Sequence, residues 1–303
     1  MSQQWYDPSS KWVLEERGAS VLYLAGARSV VSCQARKAEV VQPRKLRDGL
    51  LEVRFAREKE TRLVLVEVAT YPEKRVVEQM SDNLRLVRQS RGVLVDAVVL
   101  CLCRRGTYRV PQSAEDTSPL GWSGETLRWK VVELWTLPAE ELLTAPDVAL
   151  ALWATLAKYD GPPEVLLRRC RDRIDRDGGR QRPNLLAVAQ VFAKLHFDRP
   201  EWLDILGGRK AMIESPLIQE LLEESQRTER VQAIIEILEG RFGAVPPNIS
   251  AGLQQVIELE ELRRLTRFAV ICAGLQAFEA GLREALPKPP PASTRGKRRK
   301  KAD

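Results

Sequence analysis

LVLVEVATYPEKRVVEQM, residues 63–80, decides how this chain folds. Leu63–Ala69 is apolar on both faces except at Glu67, the pattern of a central strand covered above and below. Pro72 then stands where a helix opens. Val76, Val77, Met80, Leu84 and Val87 follow at helical spacing, and Gly92 stops the run. Val93–Cys103 returns as a second doubly buried strand. Upstream, Leu50–Phe55 alternates Leu51, Val53 and Phe55 with Glu52 and Arg54, the period of a half-buried strand. Glu39–Gln42 supplies a shorter strand candidate, and Trp12–Leu24 a helix.

Downstream, strands are expected at Thr107–Pro111 and Thr126–Trp135. From Pro138 the period changes to that of helices. They are expected over 148–157, 163–174, 185–195 and 216–238, with a last pair over 249–265 and 267–286. Glycine pairs at 178–179 and 207–208, and the stretch Gly243–Pro247, punctuate them. This predicts a mixed α/β domain over residues 8–137 and a helical domain over 138–286. Residues 287–303, with four prolines and a basic run, form an expected disordered tail.

Composition narrows the field. A chain of 303 residues has room for about two domains. With 44% apolar and 29% charged residues it is neither wholly disordered nor fibrous. No stretch approaches the ~18 uncharged apolar residues of a membrane helix, so no membrane partner is expected. Met1–Trp12 is polar and lacks the blocks of a signal peptide, which makes a cytoplasmic protein the expectation. The net charge of +7 is misleading as an average: the tail alone carries +6 and the other 286 residues +1. Cys33, Cys101, Cys103, Cys170 and Cys272 are scattered without CxxC pairs, so free thiols are expected rather than a zinc ribbon or disulfides. The single histidine, His196, cannot build a multi-histidine metal site.

Glu67 is the informative residue. An unpaired carboxylate in a buried strand costs several kcal/mol or must stay protonated, so Glu67 marks either a partner, a metal or an active site, or an edge position or buried ion pair with a nearby arginine. If the strands at 50–55 and 63–69 form a hairpin around residues 57–61, Asp48 faces Ala69, one same-face step from Glu67. Two neighbouring carboxylates suit a hard divalent ion such as Mg²⁺. Glu39, on the neighbouring strand candidate, is an auxiliary.

The order helix–strand–strand–strand–helix–strand, with Asp48 before one strand and Glu67 on the next, resembles the PD-(D/E)XK nuclease core. More narrowly, RDGLLEVRF (47–55) followed by LVLVEVATYPEKRVVEQ looks like the Rpn family of recombination-promoting nucleases and transposase-related proteins. VVELWTLPAEELL (131–143) is similar to that family too, and IIEILEGRFGAVP (234–246) resembles its C-terminal helical domain, with Arg241-Phe242-Gly243 the clearest mark. The resemblance implies a restriction-endonuclease-like fold, a mixed sheet flanked by helices, followed by an all-helical domain. It also implies phosphodiester hydrolysis on DNA, with Asp48 and Glu67 as catalytic Mg²⁺ ligands.

One position departs from the pattern: Ala69 stands where the family has Lys or Gln. A methyl group cannot orient a water or neutralise a phosphate, so weak or absent cleavage is expected, with a gain on Ala69→Lys or Ala69→Gln. Lys74 or Gln79, on the following helix, are the candidates to send an amine or amide back. The alternative reading is a degenerate nuclease fold that binds DNA or a protein without cutting. A third is a scaffold that forms homo-oligomers through its helical half. Lys74, Arg75, Arg85, Arg88 and Arg91 make one helix basic, and Trp122, Trp129 and Trp135 offer rings that either stack bases or pack a core.

Overall fold

In a computed structural model, residues 6–36, 49–56, 58–119, 121–197 and 199–286 are described. Asp48, Glu39 and the expected tail at 287–303 lie outside the described residues. The chain opens with α1 (Tyr6–Leu24), β1 (Val30–Arg36), β2 (Gly49–Phe55), β3 (Arg62–Ala69), α2 (Lys74–Arg91) and β4 (Asp96–Cys101). Then come β5 (Ser113–Thr117), β6 (Gly124–Arg128) and β7 (Lys130–Glu133). Five strands form one mixed sheet in the order β1-β2-β3-β4-β7. β1–β2 and β2–β3 are antiparallel; β3–β4 and β4–β7 are parallel. β5 and β6 form a separate antiparallel pair.

α2 covers one face of the sheet. Its Val76, Met80, Leu84 and Val87 meet Leu50, Leu65, Ala97, Val99 and Cys101 in one buried cluster, each such large side chain contributing about 1.5–3 kcal/mol. α1 covers the other face and kinks at Arg17, which leaves helical geometry. The next residue explains why a glycine is there: a β-carbon on Gly18 would lie 2.9 Å from a Leu51 methyl and 3.1 Å from the Cys33 sulfur.

The helices that follow are α3 (Ala139–Thr144), α4 (Leu150–Ala154), α5 (Pro163–Asp177), α6 (Arg182–His196), α7 (Pro200–Ile205) and α8 (Gly208–Glu214). The strand-to-helix switch falls at Pro138, yet α3–α8 belong to the same compact unit as the sheet, which runs to Ile218. Trp153 shows how: buried in α4, it stacks on Phe192 of α6 at 4.9 Å and donates its indole N–H to Ser20 Oγ of α1 at 3.1 Å.

The second unit runs from Gln219. It holds most of α9 (Pro216–Phe242), with α10 (Pro247–Gln254), α11 (Leu259–Ile271) and α12 (Leu275–Ala285). Its core includes Ile234, Leu238, Leu253, Leu262, Leu265, Phe278 and Leu282. Arg241 donates to the Ala269 carbonyl at 2.6 Å and lies over the Phe242 ring at 4.5 Å. Gly243 takes φ +82° and donates its N–H to Glu239 O, closing α9. Arg241-Phe242-Gly243 is thus a helix-closing clamp. No helix among the described residues is long and apolar enough to cross a membrane.

Several expected elements shift. The first strand among the described residues is Val30–Arg36; the Glu39–Gln42 candidate lies outside them. Thr107–Pro111 forms no strand; the strand follows at Ser113–Thr117. The single strand expected over Thr126–Trp135 is two, because the chain changes sheets at Trp129. That residue is buried, with its backbone N–H on Gln112 O and its indole N–H on Pro111 O. The expected helix over 249–265 breaks between α10 and α11, and the one over 267–286 breaks at Cys272–Gly274.

Candidate functional site

β3 is central, with β2 antiparallel on one side and β4 parallel on the other. Strand alternation puts Leu65, Glu67 and Ala69 on the face covered by α2. Glu67 pairs across the sheet with Val99 and is only 5% exposed. From α2, Asn83 donates its side-chain amide to Glu67 Oε2 at 3.1 Å. A hydrogen bond to an ionised carboxylate is worth about 1.5–3 kcal/mol, and it gives Glu67 one defined orientation. Asn83 escapes a search for acids and bases, but a signal exists: it lies three residues after Met80 and four before Val87, a polar group inside the apolar stripe of the helix.

Asp48 and Glu39, the proposed partners of Glu67, lie outside the described residues. The strand register nevertheless differs from the expected one. Gly49 pairs with Val66 and Leu50 with Leu65, where the assumed hairpin would have set Gly49 against Val68. The physical reason is an earlier turn: Glu58 N–H closes onto Phe55 O at 3.1 Å, and Arg62 pairs with Glu58 at 2.7 Å. The shift is two residues, so the faces of the strand are unchanged.

Ala69 is 8% exposed and packs in the apolar cluster with Val76 and Met80. The position two residues past Glu67 is therefore filled by the first turns of α2. Lys74 is the first residue of that helix and is exposed. Gln79 is half-buried and precedes Asn83 by four residues, one turn along the same stripe. Among the described residues no cluster of three or more histidine, cysteine or acidic groups could hold a metal. Glu67 supplies a hard oxygen ligand of the kind Mg²⁺ prefers, and an octahedral site needs more ligands than one.

The basic helix divides into three parts. Arg75 pairs with Glu73 at 2.7 Å. Arg85 is surrounded by Glu125, Asp82 at 3.2 Å and Asp116 at 3.3 Å, which ties α2 to the β5–β6 pair and raises the guanidinium pKa, first through the Glu125 hydrogen bond. Arg88 and Arg91 sit at the C-terminal end of α2. Arg91 lines an open hollow of about 1100 Å³ with Arg62, Val93, Leu94 and Asp96. Arg62 and Asp96 begin β3 and β4, and Glu67 lies five residues on, about 16 Å along the strand. The hollow is not its cleft.

Of the three tryptophans, Trp129 is core, Trp135 packs against the same cluster and Trp122 stands 87% exposed between β5 and β6. All five cysteines are free thiols. Burial pushes Cys101 and Cys170 up to about 12, and Cys33 and Cys103 up to about 11, which keeps them protonated and poorly nucleophilic at neutral pH. His196 Nδ1 lies 3.2 Å from the Thr155 carbonyl and its ring stacks on Phe197, a structural setting.

Comparison of the chain with protein-family models, with curated proteins and with solved structures returns no match.

Proposed function

We propose that this chain is a nuclease-like protein of the Rpn type with a PD-(D/E)XK core, which binds Mg²⁺ and DNA and cleaves weakly because Ala69 replaces the Lys or Gln of the motif. The observation that carries the reading is a buried carboxylate, Glu67, on a central strand of an α-β-β-β-α-β unit, with the antiparallel, antiparallel and parallel pairings described above. The β2–β3 ladder reaches Gly49–Val66, one residue short of Glu67 on β3. In this reading Asp48 and Glu67 would hold the ion together. When bound, Mg²⁺ would activate water and offset charge on a scissile phosphate. Asn83 fixes the orientation of the Glu67 carboxylate, and Ala69 provides no group to align a water.

Calorimetric titration with Mg²⁺ tests the reading. Binding that disappears in both Asp48→Asn and Glu67→Gln is expected. No heat in the parent chain, or heat unaltered by either change, overturns it. For cleavage, removal of one hydrogen-bonding or charged group from such a site costs roughly 10²–10³ in rate, so Ala69→Gln is expected to gain activity. Robust cleavage by the parent chain that survives Lys74→Ala and Gln79→Ala would show that the third group is not needed. The second reading, a fold that binds without cutting, gains weight from the apolar packing of Ala69. It is favoured if Mg²⁺ binds and no variant cleaves.

A further inference from the structure

We infer that the edge of the sheet where β3, β4 and β7 end is a rim that grips the phosphodiester backbone of duplex DNA, through Lys74, Arg104 and Arg105 with Tyr71 as a platform. The inference rests on the DNA reading above and names a surface that the reading leaves open.

The three strands are parallel neighbours, so their carboxyl ends lie on one edge, the usual ligand-binding edge of parallel strands. β3 leads into Thr70–Glu73 and then Lys74. β4 continues alongside it past its last residue: Leu102 N–H donates to Ala69 O and Cys103 N–H to Thr70 O, both at 2.9 Å. The chain therefore delivers Arg104 and Arg105 beside Tyr71, and the Arg105 guanidinium sits 5.1 Å from the centre of that ring. A few residues on, Arg109 pairs with Glu133 and lies over Trp135 at 5.6 Å, joining the β4 and β7 ends.

Ion pairs neutralise many of the other arginines. Arg75, Arg85, Arg109, Arg169, Arg171, Arg173, Arg182, Arg263, Arg264 and Arg283 each meet a carboxylate. Among the described residues Lys74, Arg104 and Arg105 enter no ion pair, and all three are exposed. Arg88 and Arg91 are likewise without an ion pair among the described residues; what sets Lys74, Arg104 and Arg105 apart is their place on the two neighbouring segments that leave β3 and β4 at the same end. A guanidinium lying on a ring keeps its planar fork available to phosphate oxygens. An acidic protein would satisfy the charges but would make no use of that geometry. The rim begins two residues beyond Glu67, about 7 Å along β3.

The test is fluorescence anisotropy of the full chain with a labelled duplex, without Mg²⁺, across a series of salt concentrations. Each phosphate contact contributes about −0.9 to the slope of log K against log salt. The triple variant Lys74→Gln, Arg104→Gln, Arg105→Gln is expected to reduce the slope by about 2–3 and Arg104→Gln alone by about 0.9, with thermal melting unchanged because all three side chains are exposed. The rim is overturned if the parent chain does not bind the duplex. It is equally overturned if the triple variant keeps the parent slope, or if the slope is lost only when the cations at 297–301 are replaced. The Mg²⁺ titration separates this outcome from the nuclease reading. A lost slope with no Mg²⁺ heat leaves the rim standing and the metal site refuted; Mg²⁺ heat with an unchanged slope does the reverse.

Discussion

The two ends of the five-stranded sheet carry the same kind of side chain in opposite company. At the amino ends of β3 and β4, Arg62 and Arg91 line an open hollow shared with Asp96 and the exposed Val93 and Leu94. At the carboxyl ends, Lys74, Arg104 and Arg105 enter no ion pair, and Arg105 rests on an aromatic ring. Midway, Arg85 is neutralised by three carboxylates. Counting cations along α2 treats Lys74, Arg85 and Arg91 as one stripe. The fold assigns them to a rim, a tie and a hollow, so a basic residue signals a ligand only after its partners are known.

The largest effect expected is at Ala69, between the rim and Glu67. Ala69→Lys overfills an apolar layer and buries an ammonium, so it should cost several kcal/mol, read from urea unfolding. A stability equal to the parent's would mean that the position has room for the family's lysine and that the two ends are less sharply separated than described. Next comes Asn83→Ala, which removes the amide from Glu67 and should cost about 1.5–3 kcal/mol. Equal stability would mean that the carboxylate does not depend on α2.

Arg85→Ala breaks exposed pairs and should cost less than about 1 kcal/mol. Its signature is faster amide exchange confined to β5 and β6; exchange unchanged there would deny the tie. The C-terminal end of α2 supplies the control: Arg88→Ala with Arg91→Ala should leave the salt slope of DNA binding unaltered, and a fall of about 2 would move the binding surface to the wrong end of the sheet.

A pH prediction completes the set. Cys101 and Cys103 mark the rim end of β4, and burial lifts both thiols from 9.0 to about 12 and about 11. Below pH 9 these thiols are protonated in folded and unfolded chains alike, so they add no pH dependence. Above it the unfolded thiols ionise first, and stability should fall as pH rises from about 9 towards 11–12. Cys101→Ala should flatten that fall; an identical slope would mean that other groups cause it.

How much of this was legible in the sequence depends on what each element touches. β3, α2 and β4 were readable because Leu63–Ala69 and Ala97–Cys101 are buried on both faces and the α2 stripe follows its helical period. β1 was not: it is an edge strand with a register irregularity near an exposed Val31, and its inward residues include the small Cys33 and Ala35. The break at Trp129 was hidden because alternation continues while the chain changes partners. The division into compact units near Ile218 was hidden too, since helices before and after it have similar composition. Trp153 and Ser20, 133 residues apart, tie the earlier helices to the sheet. At the site, Glu67 announced itself as an acid in an apolar run. Asn83 did not, because one polar residue on a helix is usually solvated.

Trp122 has an optical consequence. Its indole is open to water, whereas those of Trp129 and Trp153 are sealed in the core. Iodide added to the native protein should therefore extinguish a red-shifted component of the emission and spare a blue-shifted one. Because Trp122 lies between the two strands that Arg85 ties to α2, the accessible fraction registers loosening of that pair separately from global unfolding, without an attached dye.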